Sequence, residues 1–126
     1  MDKAEEMLQA KTWAVVGATD NQSKFGYKIF KFMVDRGFDV YPVNPGINEV
    51  YGKICYESLS ALPVKVDAVD VVVAPRIGER IMKDCSELGI RNVWLQPGAD
   101  AASVVQVAKE LNLTVVTDCI MVRGRV

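Results

Sequence analysis

Short, nearly unbroken apolar runs alternate along this chain with longer stretches whose apolar residues recur every three or four positions. Trp13 to Gly17 is the first such run, and a run without polar interruption suits a strand buried on both faces. Phe25, Ile29, Phe32 and Met33 follow at helical spacing, and Gly37 supplies a stop. Asp39 to Val43 predicts a second strand, broken by Asn44-Pro45-Gly46. Ala68 to Ala74 is a β-branched run and predicts a third strand, ended by Pro75. A helix from about Ile77 to Leu88 is expected to bury Ile77, Ile81, Cys85 and Leu88, with Gly89 closing it. Asn92 to Gln96 predicts the fourth strand. Pro97-Gly98 turns the chain, and Asp100 is placed to cap a helix carrying Val104, Ala108 and Leu111. Thr114 to Thr117 predicts the last strand, and Ala4 to Ala10 a short leading helix. The stretch from Glu49 to Pro63 follows no clear period, apart from one helical turn expected over Ser58 to Leu62.

Strands alternating with helices predict an α/β, Rossmann-like three-layer fold with a five-stranded, mainly parallel sheet. The expected strand order is 3-2-1-4-5, in one domain over residues 1–126. Such sheets bind ligands at the carboxyl ends of their strands, where the order reverses. Four turns lie there: Gly17–Lys24, Asn44–Gly46, Ala74–Arg76 and Gln96–Ala99.

The first turn is the most informative. An apolar strand stops at Gly17, a polar loop follows, and a helix begins. Backbone amides and a helix dipole at such a place favour a phosphate. The expected cradle is the Gly17, Ala18 and Thr19 backbone, the Thr19 and Ser23 hydroxyls, and the Lys24 ammonium. The loop is longer than the roughly 2–6 residues usual between a strand and a helix. The dinucleotide fingerprint G-x-G-x-x-G is absent, because threonine stands at position 19. The second strand ends in Val43-Asn44-Pro45, without the carboxylate that holds an NAD ribose. Ala74-Pro75-Arg76 and Gln96-Pro97-Gly98 form a wall suited to a long, partly apolar ligand. Arg76 reads equally as a phosphate contact or a solvated helix-start charge, and Gln96 as an amide contact or a structural residue.

Charge and cysteine content narrow the classes. Fifteen basic side chains face sixteen acidic ones with no basic block, which argues against nucleic acid. No apolar run is long enough to span a membrane. Cys55, Cys85 and Cys119 form no C-x-x-C pair, and there is no histidine. Reduced thiols and a cytoplasmic location are expected. The commonest general base is missing, as is any Ser-His or Cys-His couple.

The strings Val15-Val16-Gly17-Ala18-Thr19-Asp20-Asn21, Val40-Tyr41-Pro42-Val43-Asn44-Pro45, Gly52-Lys53-Ile54-Cys55-Tyr56, Trp94-Leu95-Gln96-Pro97-Gly98 and Asp118-Cys119 occur in order over nearly the whole chain. Together they resemble the small CoA-binding proteins of the CoA_binding_2 type, similar to the N-terminal domain of the succinyl-CoA synthetase α subunit. The resemblance implies coenzyme A as ligand, with its diphosphate at the first turn. It implies that Val43, Asn44 and Pro45 line the adenosine end, while Ala74, Pro75 and Gln96 flank the ligand further along. The tail departs from the pattern: Asp118 and Cys119 are adjacent, and the chain ends Arg123-Gly124-Arg125-Val126 without a histidine. Ile47 and Asn48 stand where the synthetase pattern has a lysine.

The expected function is binding of coenzyme A or a short acyl-CoA by a non-catalytic module, with no metal, nucleic acid or membrane. A protein partner or homo-oligomer is left open. The competing expectations are an NAD(P)- or other nucleotide-dependent enzyme, and an interaction subunit that has lost its ligand.

Overall fold

The computed structural model describes residues 1–124; Arg125 and Val126, the last positions of the tail noted above, lie outside them. Five strands form one parallel sheet: β1 (Thr12–Val16), β2 (Asp39–Val43), β5 (Ala68–Val71), β6 (Asn92–Leu95) and β7 (Thr114–Thr117). Between β2 and β5 in the chain, β3 (Glu49–Val50) and β4 (Lys53–Ile54) make a small antiparallel hairpin. Its two-residue turn, Tyr51-Gly52, has positive φ at both positions, as tight hairpins require. The tyrosine there is tied down by a hydrogen bond from its hydroxyl to Asp35 (2.8 Å).

Alternation along β1 sends its side chains to two cores. Trp13 and Val15 join Ile29, Phe30 and Met33 of α2 (Phe25–Asp35), Ala4 and Met7 of α1 (Lys3–Met7) and Ile120 of α5 (Ile120–Arg123). Ala14 and Val16 face Met82 and Cys85 of α3 (Pro75–Glu87) and Val104 and Ala108 of α4 (Ala102–Glu110). This is the three-layer α/β architecture expected. A single 3-10 turn over Leu59–Ala61 matches the helical turn read in that stretch.

Three expectations need correction. The sheet order is β2-β1-β5-β6-β7, so the strand beginning at Ala68 lies beside β1 rather than outside β2. All four of its residues are buried, and such a strand needs neighbours on both edges. Among the described residues, the place outside β2 is held only by a bridge from Val43 to Tyr56, in the glycine-broken polar stretch. The reversal point therefore falls between β1 and β5. Second, β5 stops at Val71 and α3 starts at Pro75, a proline at the first helical position. The buried face of α3 is Gly78, Met82 and Cys85, while Ile77 and Leu88 are exposed. Third, Asp100 does not cap α4; its Oδ1 accepts from the Gly98 amide in the preceding turn (3.2 Å).

Candidate ligand-binding cleft

Gly17 sits where β1 leaves the sheet, with φ +100°, and its amide donates to the Val43 carbonyl (3.0 Å). A Cβ there would collide with the Val72 carbonyl oxygen just beyond β5. Gly26, in the first turn of α2, has no room for a Cβ either, because it faces the Gly17 carbonyl. The two glycines let helix and strand ends approach closely at the reversal point, one of the roles glycine has in nucleotide folds.

The loop between them is internally wired. The Thr19 hydroxyl oxygen accepts from the Asn21 amide (3.2 Å), and Asn21 Oδ1 accepts from both the Ser23 amide (3.1 Å) and the Ser23 hydroxyl (2.7 Å). The Lys24 amide donates to the Asn21 carbonyl (3.1 Å). In the first turn of α2 the Tyr27 amide donates to the Lys24 carbonyl (3.2 Å). Among the described residues the Phe25 and Gly26 amides at the start of α2 have no acceptor, and no side chain caps them. They open onto a cavity of about 860 Å³.

That cavity lies over the β1/β5 junction. Of the residues singled out from the sequence, Gly17, Thr19, Ser23, Lys24, Val43, Asn44, Pro45 and Ala74 line it. A second cavity of about 290 Å³ shares Phe25, Val72, Val73 and Ala74 with the first and is lined further along by Gln96, Gly98 and Cys119. The other three candidates, Ala18, Pro75 and Arg76, line neither cavity. Ala18 is fully buried among apolar residues, and its carbonyl accepts from Asn44 Nδ2 (2.8 Å), which ties the first two turns together. Pro75 starts α3 and has no amide hydrogen to offer a ligand. Arg76 lies off the cleft-facing stripe of α3, which is Ile77, Arg80, Ile81 and Asp84, the i, i+3, i+4, i+7 set of one helix face. The Gly17 amide is committed to Val43 and so is no phosphate donor.

Sequence reasoning misses Arg80, and its helical spacing from Ile77 and Ile81 is the signal that could have found it. It also misses Glu57, Ser58 and Leu59, which close the cleft beyond Pro45. The lining thus carries two cations, Lys24 and Arg80, and two carboxylates, Glu57 and Asp84. Among the described residues neither cation enters an ion pair. Burial pushes the Cys55 thiol above its ordinary range and the Cys85 thiol up to about 12, which disfavours thiolate chemistry at both.

A family model for a CoA binding domain matches residues 11–125. The α subunit of ADP-forming acetate–CoA ligase II from Pyrococcus furiosus is 36% identical over 81 residues, covering 64% of this chain and 18% of that subunit. The uncharacterized protein YneT of Bacillus subtilis is 33% identical over 124 residues, covering 95% of this chain and 92% of YneT. The structure of cell-free ID.343 from Thermus thermophilus superposes with a TM-score of 0.87 at 30% identity, covering 98% of each chain. The chain spans less than a fifth of the first two ligases it matches, 12% and 18% of their lengths.

Proposed function

This chain belongs to the CoA binding domain family, and we propose that it binds coenzyme A or a short acyl-CoA without transforming it. The carrying observation is that one cleft joins an uncapped helix start, a hydroxyl with a free proton, two unpaired cations and an apolar wall. In this reading the Phe25 and Gly26 amides at the start of α2, the Thr19 hydroxyl and Lys24 hold the diphosphate. Val43, Asn44 and Pro45 line the adenosine end, opposite Ile77 and Ile81. The pantetheine arm passes Ala74 towards Gln96 and Gly98.

The donor set suits this ligand better than NAD. No carboxylate stands at the end of β2, and Asn44 is occupied in bracing Ala18. A binding role is favoured over catalysis because the cleft holds no histidine and no nucleophile paired with a base. The likeness to YneT over nearly the whole of both chains supports action as one free-standing domain. Three unpaired cysteines suit a reducing compartment such as the cytoplasm. The likeness to a ligase α subunit supports a second reading, in which a partner subunit supplies the chemistry and this chain presents the ligand.

Thermal unfolding with added ligand tests the first reading. Coenzyme A at a hundredfold excess over its Kd adds about 2.7 kcal/mol of native-state stability. For a domain of this size the melting temperature then rises by several degrees. NAD and NADP leave it unchanged. A shift with NAD and none with coenzyme A refutes the assignment.

A further inference from the structure

Asp70 lies in the middle of β5, fully buried, opposite Val15 of β1 and Trp94 of β6. Its Oδ1 accepts from Gln96 Nε2 (2.8 Å), and its Oδ2 has no hydrogen-bond partner among the described residues. No described cation offsets its charge. A carboxylate in such a place is costly, and valine or alanine would satisfy the strand. Its one side-chain hydrogen bond is with Gln96, so that contact is where its effect is exerted.

An amide side chain has two different ends. Asp70 Oδ1 accepts whether the carboxyl is ionised or carries a proton on Oδ2. Asp70 therefore holds the Gln96 nitrogen and turns Gln96 Oε1 the other way, onto the Ile120 amide (3.3 Å). Ile120 opens α5, and its amide has no acceptor within that helix. Reversing the Gln96 amide would set two donors face to face. Two residues before Gln96, in β6, Trp94 Nε1 donates to the Asp118 carbonyl (2.8 Å). The chain is thus gripped at 118 and at 120. Cys119, between them, lines the second cavity together with Gln96.

We propose that Asp70 is a positioning residue: by fixing the Gln96 amide it pins the start of α5 and shapes the wall that Gln96 and Cys119 present to the second cavity. Asp70 lines neither cavity itself. The effect on ligand affinity rests on the coenzyme A reading; the effect on the wall does not.

Three variants test it: Asp70→Leu, which removes the acceptor; Asp70→Asn, which keeps one; and Gln96→Met, which removes the link. In Asp70→Leu and Gln96→Met the Ile120 amide should exchange its hydrogen roughly tenfold faster by NMR. Cys119 should be alkylated several times faster, read by peptide mass with buried Cys85 as internal control. Coenzyme A should bind about tenfold more weakly to both by calorimetry. Asp70→Asn should restore all three readings to within about twofold of the parent protein, since its carbonyl oxygen still accepts. Unchanged Ile120 exchange in Gln96→Met overturns the proposal, and so does an Asp70→Asn protein that behaves like Asp70→Leu. Should Asp70→Leu fail to fold, Gln96→Met and Asp70→Asn carry the decision. A parent protein that binds no coenzyme A refutes the ligand assignment, and exchange and alkylation still judge the positioning role.

Discussion

Thr19 and Ser23 both put a hydroxyl beside the α2 start, yet their protons differ in availability. Ser23 donates its proton to Asn21 Oδ1, whereas Thr19 only accepts, from the Asn21 amide. Thr19 thus keeps a donor for a phosphate, and Ser23 must break a 2.7 Å bond to offer one. Thr19→Val should weaken coenzyme A by about 1–3 kcal/mol, the scale of an unmet polar partner. Ser23→Ala should cost less than about 1 kcal/mol. Calorimetric titration of both variants checks the order, and an equal loss would mean that the serine rotates freely. The sequence shows both hydroxyls and the lysine. It does not show which proton is already engaged, because that depends on how Asn21 folds back across the loop. The same holds for the Gly17 amide: its position at a strand end is readable, its bond to Val43 is not.

At the scale of the element, α3 is the instructive case. Its sequence has Ile77, Ile81, Cys85 and Leu88 at helical spacing, which reads as a core-facing stripe. The stripe divides: Cys85 joins Gly78 and Met82 under the sheet, Ile81 packs against the core and also lines the cleft, Ile77 lines the cleft exposed, and Leu88 is exposed. Period reveals that a helix has an apolar face; it does not say whether that face meets core or ligand. The rotation also decides which arginine matters. Arg80→Ala should weaken coenzyme A several-fold at low salt and less at high salt, because partly exposed charges are screened. Arg76→Ala should leave affinity unchanged, and the pair of titrations at two salt concentrations checks both. A larger loss from Arg76→Ala would mean that α3 is rotated in the bound state. Strand order escapes the sequence for a related reason. Nothing local tells the run at Ala68 to pair with β1, yet its burial on both faces requires that place. The succession of strands and helices along the chain is legible, because glycines and prolines with local backbone demands separate the elements. Neighbour relations are not local, so they are not legible in the same way.

Across the whole molecule, the balance of charges at the surface contrasts with a buried carboxylate at its centre, and that contrast governs how stability depends on pH. Burial raises the Asp70 carboxyl from 3.8 to about 7, and the Gln96 hydrogen bond offsets only part of this. The native state therefore holds a proton that the unfolded chain releases near pH 4, so stability must fall as pH rises between those values. The contribution is fully present below the unfolded value and is lost by the time pH passes about 7. Each tenfold change in proton affinity is worth about 1.4 kcal/mol, which sets a ceiling of about 4 kcal/mol across that range. Asp2 and Asp35 act in the opposite sense: hydrogen bonds lower their carboxyls, and protonating them at acid pH removes stability. Both are exposed, so screening keeps their effect small. Comparing the protein with Asp70→Asn cancels these surface contributions, because only position 70 differs. The stability gap, Asp70→Asn minus parent, should widen steadily from pH 4 to pH 7 in urea titrations and level off above. A gap that stays constant over that range would mean that Asp70 is ionised throughout and that its burial is relieved by a partner in solution.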